Sequence, residues 1–167
     1  MIRALSLVAA ALLTVADAGY DEVKKDMSWV YTETWEDSSD NYVTTGSSLK
    51  YKMLPPRRRT KHSSEITKGE TVKVMYKLYI KHDTPDHKHI YSQSTLAEAF
   101  SLTAGGGSVI KGFDEAVLLM KDGDRGRFLM PSPIAYGAAG AGGFGIPPDT
   151  ELEYFLEVHK TGGGGEL

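Results

Sequence analysis

The sequence contains no cysteine. That excludes stapling by disulfides and any cysteine nucleophile, so a folded domain here must rest on its core alone. It has a single asparagine, Asn41, followed by Tyr-Val, so no N-glycosylation sequon exists. The nucleophile pattern G-x-S-x-G is absent too, and hydrolytic chemistry has little support. Neither charge sign dominates: 19 Lys and Arg stand against 22 Asp and Glu, a net charge of −3. There is no electrostatic case for binding nucleic acid. What is present is 167 residues, 41% hydrophobic and 10% aromatic, enough for one domain with extensions.

The two ends differ from the middle. Arg3 followed by an apolar run from Ala4 to Ala16, then Ala16-Asp17-Ala18, fits a secretory signal peptide over residues 1–18. The run is short for a membrane span, and no second one follows. The expected mature chain therefore starts near Gly19, is soluble and has no membrane association. Residues 19–46 are polar and acidic, with Trp29, Tyr31 and Trp35 scattered among charges and no clear period. These tryptophans could dock on the domain or on a partner. Residues 161–167 form a flexible Gly-rich tail ending in Glu-Leu. Glu-Leu matches half of a luminal retrieval tetrapeptide, and glycines stand at its other two positions. The expected location is the secretory pathway, in the endoplasmic reticulum lumen or exported.

Between the ends the pattern is that of strands. Leu49, Tyr51 and Met53 alternate with polar residues until Pro55-Pro56-Arg57-Arg58-Arg59, a basic run read as a solvated loop. Val72, Val74, Tyr76, Leu78 and Ile80 share one face, with Lys73, Lys77 and Lys81 opposite, as in a half-buried strand. Phe128 and Met130 belong to another strand. Leu152, Tyr154, Leu156 and Val158 alternate with Glu151, Glu153 and Glu157 in the last. One helix interrupts them. Phe113, Ala116, Val117 and Met120 fall at i, i+3, i+4 and i+7, with Asp114 and Glu115 near its start and Gly123 as its expected stop. The fold class is α+β: a twisted antiparallel sheet wrapped around one short helix. No repeat or exposed apolar stripe asks for a partner, so a monomer is expected.

Several candidate sites compete with plainer readings. Gly140-Ala141-Gly142-Gly143-Phe144-Gly145 matches G-x-G-x-x-G in form. No strand leads into it and Pro147-Pro148 stands where a helix should begin, so it is a flap and not a dinucleotide loop. His82, Asp83, Asp86, His87 and His89 offer donors for Zn²⁺ or Cu²⁺, but their spacing is irregular and Pro85 intervenes, which favours a solvated loop and no metal site. His62 and His159 have no evident carboxylate partner. Tyr76, Phe100, Phe113, Tyr136 and Tyr154 could simply be core; periodicity does not separate core from cavity lining.

Val109-Ile110-Lys111-Gly112-Phe113 at the helix start, Ala135-Tyr136-Gly137 and Ile146-Pro147-Pro148 occur in an order that resembles the tacrolimus-binding (FKBP-type) peptidyl-prolyl isomerases. The resemblance spans residues 47–160. It implies a cofactor-free pocket lined by Tyr76, Tyr91, Phe100, Val109, Ile110, Phe113, Tyr136, Phe144, Ile146 and Tyr154. Of these, Tyr136, Ile110, Phe113 and Tyr154 would act on the bond. It also implies proline-containing polypeptide clients, and a macrolide as a possible ligand. Family members usually carry tryptophan where Phe113 stands, phenylalanine where Tyr154 stands, and a Phe-Asp pair where this chain offers Ile90-Tyr91-Ser92. The pocket carboxylate is therefore missing. Two readings follow: an active isomerase that turns X–Pro bonds in folding proteins, or a binding or chaperone module of the same fold with weak or lost catalysis.

Overall fold

The computed structural model describes residues 42–54, 64–80 and 99–161, and the backbone of 88–93. The signal-like segment, Trp29, Tyr31 and Trp35, the basic run at 55–59, His62, the side chains of the His-rich loop and the Gly-rich tail lie outside the described residues. Among the described residues no helix is long and apolar enough to cross a membrane, and no cluster of His, Asp and Glu could hold a metal ion.

Seven strands form one antiparallel sheet. They are β1 (Val43–Thr44), β2 (Lys50–Leu54), β3 (Thr71–Ile80), β4 (Lys88–Gln93), β5 (Phe100–Thr103), β6 (Arg125–Met130) and β7 (Leu152–Lys160). The order is β1-β2-β6-β7-β3-β4, and β5 also pairs with β3. One edge of β3 runs against β7 over its whole length, with Val72 opposite Lys160 and Ile80 opposite Leu152. Its other edge is shared. Thr71 to Val74 pair with β5, and Tyr76 to Ile80 pair with β4.

The inner face follows the alternation in the sequence. Val72, Val74, Leu78 and Ile80 of β3 are buried with Leu152, Tyr154, Leu156 and Val158 of β7 and with Phe128 and Met130 of β6. Each large apolar side chain buried in this way contributes about 1.5–3 kcal/mol before entropy is counted. Tyr51 of β2 stacks on Phe128 with ring centroids 6.0 Å apart.

The one α-helix among the described residues, α1 (Lys111–Leu118), lies on this inner face and buries Gly112, Phe113, Ala116 and Val117. Gly112 allows the close approach. A Cβ there would stand 3.0 Å from the sulfur of Met130 and 3.1 Å from Ile134. The helix ends sooner than its sequence pattern suggests, with Leu119 as C-cap. Gly123 is not its stop. It sits in the following turn at φ +81° and donates its N–H to the Val158 carbonyl. Asp114 does more than complement the helix dipole. Its carboxylate accepts from the N–H groups of Gly105 and Gly107 at 2.7 and 2.8 Å, tying down the loop that leads into the helix.

Lys160, at the end of β7, donates to Glu70 at 2.8 Å, and the Thr67 N–H donates to the same carboxylate at 2.6 Å. The Lys160 bond first, and the Thr67 bond second, lower the Glu70 pKa from 4.5 to about 2. A depressed folded-state pKa stabilises the fold above the unfolded value of 4.5, and that contribution fades as pH falls toward about 2. A carboxyl-carbon NMR titration should find the Glu70 midpoint well below those of exposed glutamates. It should return toward the ordinary value in Lys160→Met.

Candidate functional site

A cavity of about 440 Å³ opens where α1 meets the sheet. Its lining is Tyr76, Phe100, Ser108, Val109, Ile110, Phe113, Tyr136 and Tyr154. Six segments supply these residues. Tyr76 comes from the middle of β3, Phe100 from the start of β5 and Tyr154 from β7. Ser108, Val109 and Ile110 come from the loop that Asp114 anchors, and Phe113 from the first turn of α1. Tyr136 stands between two short 3-10 turns, Ser132–Ile134 and Gly137–Ala139.

The floor is three rings set against one another. Phe113 meets Tyr154 edge-on, with centroids 5.3 Å apart and planes at 84°, and meets Tyr76 at 5.9 Å and 87°. Tyr76 and Tyr154 tilt together at 6.0 Å. Edge-to-face packing of this kind holds rings rigidly and adds about 0.5–1.5 kcal/mol per pair beyond burial.

The polar atoms are few. Ile110 is the N-cap of α1, so its own N–H lies outside the helical hydrogen-bond ladder. Burial, above all, pushes the Tyr154 phenol far above the ordinary tyrosine range. The nearby Tyr136 and Tyr76 phenols add to this, as does the hydrogen bond that Tyr154 donates to Tyr136. Tyr154 therefore stays a neutral donor. The Tyr136 phenol lines the cavity beside it. The described lining contains no carboxylate, thiol or imidazole, so it offers shape, apolar contact and a few donors, without acid–base groups.

The structure thus brings together Tyr76, Phe100, Val109, Ile110, Phe113, Tyr136 and Tyr154 from the set the sequence singles out. It places two others elsewhere. Ile146 is buried in the core cluster and is not among the residues that line the cavity. Phe144 is 67% exposed on the Gly-rich loop and also stands outside the lining. That loop is held in 3-10 turns. A Cβ on Gly140 (φ +63°) would fall 2.7 Å from the backbone of Ile146, Pro147 and Pro148. The close backbone passage keeps Ile146 inward and leaves Phe144 at the surface. Tyr91 pairs with Leu78 in the sheet, and its side chain lies outside the described residues. Ser108 was not foreseen. It has no pattern of its own, and only its place before Val109 and Ile110 hints at it.

Residues 62–159 match the family model described as FKBP-type peptidyl-prolyl cis-trans isomerase. The chain belongs to this family. Its relatives include an FK506-binding protein of Neisseria meningitidis serogroup A, 35% identical over 97 residues, covering 58% of this chain and 84% of the relative. Another is a peptidyl-prolyl cis-trans isomerase of Vicia faba, 36% identical over 95 residues, covering 57% and 85%. Among solved structures, a peptidyl-prolyl cis-trans isomerase from Pseudomonas syringae superposes with a TM-score of 0.59 at 25% identity, covering 74% of this chain and 83% of that one. The structure of AtFKBP13 gives the same score and identity and covers 72% and 98%. The FKBP-type fold expected from the sequence is the fold observed, and the chain is a peptidyl-prolyl isomerase by family.

Isomerases of this kind face one barrier. Twisting an amide out of resonance costs about 18–20 kcal/mol. No covalent step or metal is required, because the twisted imide has lost its charge-separated form and is less well hydrated than the planar one. A dry pocket therefore binds it better. A thousandfold acceleration needs only about 4 kcal/mol of such preference.

Proposed function

We propose that the cavity between α1 and the sheet is where this isomerase turns X–Pro bonds of client polypeptides in the secretory pathway. The observation that carries the site is the pairing of the three-ring floor with the Tyr136 phenol in one cavity lining. In this reading Phe113, Val109 and Tyr154 strip water from the prolyl ring, with Tyr76 and Phe100 as side walls. The Ile110 N–H and the Tyr136 hydroxyl donate to the flanking carbonyls. The same cavity would admit a macrolide. The domain acts as a monomer.

Tyr136→Phe removes one hydrogen bond worth about 1–1.4 kcal/mol, so kcat/KM should fall up to about tenfold with the fold unchanged. Tyr154→Phe should cost less, and nothing further when added to Tyr136→Phe, because the donor then has no acceptor to act on. With no carboxylate, thiol or imidazole in the described lining, the rate should be flat from about pH 6 to about pH 9. A bell-shaped profile, or wild-type turnover in Tyr136→Phe, would refute these roles.

The location rests on Arg3, the apolar run and Ala16-Asp17-Ala18, with the terminal Glu-Leu as partial support for retention. N-terminal sequencing of the protein recovered from its cell should begin near Gly19. A chain that keeps Met1 would contradict it.

A further inference from the structure

A sheet that packs a helix on one face ordinarily leaves its other face in water. The middle of the outer face here is dry. Register aligns its side chains in rows across β6, β7 and β3: Arg125 with Glu157 and Met75, Arg127 with Phe155 and Lys77, Leu129 with Glu153 and Tyr79. Met75 is fully buried, and Lys77, Arg127, Glu153, Phe155 and Glu157 expose 7% or less. The helix cannot be the cover, because it lies on the inner face against Met130 and Ile134. The described residues packed with Met75 and Phe155 are Leu54, Tyr79 and Ala99, which belong to the sheet or its edge. Lysine, arginine and glutamate are almost never this buried unless they are paired and something excludes water above them.

Tyr42, the first described residue, shows where such a cover would arrive. Its ring lies 5.8 Å from the Arg127 guanidinium, which is also 5.8 Å from the Phe155 ring, and its hydroxyl is buried. The chain therefore enters the domain on the outer face. Residues 19–41 precede it directly. They hold both tryptophans of the protein, Trp29 and Trp35, with Tyr31 between them, and seven acidic residues against two basic ones. The face has the opposite balance. By strand alternation it carries Lys50, Lys52, Lys73, Lys77, Arg125 and Arg127 against Glu153 and Glu157.

We propose that residues 19–41 dock on the outer face of the sheet. The aromatic side chains cover Met75 and Phe155, and the carboxylates face the surplus of cations. The extension is then a second layer of the domain, on the side away from the cavity, and leaves the cavity open to clients.

The test uses the full chain and its two tryptophans as the only reporters of their kind. Because the protein has no cysteine, one can be placed at will and given a nitroxide, which quenches tryptophan only at short range. The label goes on Lys52→Cys, on the outer face, or on Leu118→Cys, exposed at 38% on the helix side. Both variants are first shown by circular dichroism to be folded. The expected result is blue-shifted tryptophan emission, largely lost with the Lys52→Cys label and retained with the Leu118→Cys label. Fully solvated emission, or equal quenching from the two positions, would overturn the proposal. So would quenching that appears only when labelled, tryptophan-free chains (Trp29→Phe with Trp35→Phe) are mixed with unlabelled ones, since a second copy would then be the occupant.

Discussion

Phe113→Ala should destabilise the domain by about 3–5 kcal/mol, the usual range for truncating a buried phenylalanine. It should also lower kcat/KM by well over about tenfold in the fraction that stays folded. Phe113 is 4% exposed and does two jobs at once. One edge closes the helix against the sheet. The other meets Tyr154 and Tyr76 at near right angles and fixes both phenols. Alanine leaves a gap of one ring between them. Water entering that gap hydrates the planar imide and removes the preference for the twisted one. Urea unfolding measures the first effect, and peptide isomerisation in the absence of urea measures the second. A variant that loses stability but keeps turnover would mean that the floor is core and takes no part in the site.

Glu153→Ala should be as costly to the fold and nearly silent in the site. Arg127 and Glu153 are joined side chain to side chain, at 5% and 3% exposure, on the face away from the cavity. Breaking a buried ion pair by removing one partner typically costs about 3–5 kcal/mol. Replacing both, as Arg127→Met with Glu153→Leu, should recover much of that loss, because two desolvation penalties disappear together. Chemical denaturation of the two singles and the double closes the cycle. Additive losses would show that the two residues do not act as a pair.

The inner half of this architecture was legible in the sequence, and the outer half was not. Val72, Val74, Leu78 and Ile80 announce a buried face because apolar side chains recur with period two, and the same holds for β7. The opposite residues read as solvent-facing because Lys77, Glu153 and Glu157 are charged. Their burial depends on partners across the strands, such as Arg127 with Glu153, which no local pattern encodes. Asp114 is a similar case. Its position suggests a dipole role, but its contacts with Gly105 and Gly107 exist only once the loop has folded back. Gly123 marks a turn correctly but one step late, since a glycine signals positive φ and not the element it ends. For the site, the aromatic positions were visible, while their sorting into floor, core and surface was not. Ile146 and Phe144 are two residues apart, and the Gly140 crossing sends them to opposite environments.

The central claim is that the cavity lined by Val109, Ile110, Phe113 and Tyr136 is where catalysis occurs. The most direct test is cis-to-trans relaxation of a Phe-Pro peptide, whose uncatalysed exchange takes about tens to hundreds of seconds. It would be run with the wild-type chain and with Val109→Arg, which fills the cavity from a half-buried position in its lining. Rapid relaxation with the wild type, and the uncatalysed rate with a folded Val109→Arg, is the predicted outcome. Equal acceleration by both, or none by the folded wild type, would contradict it.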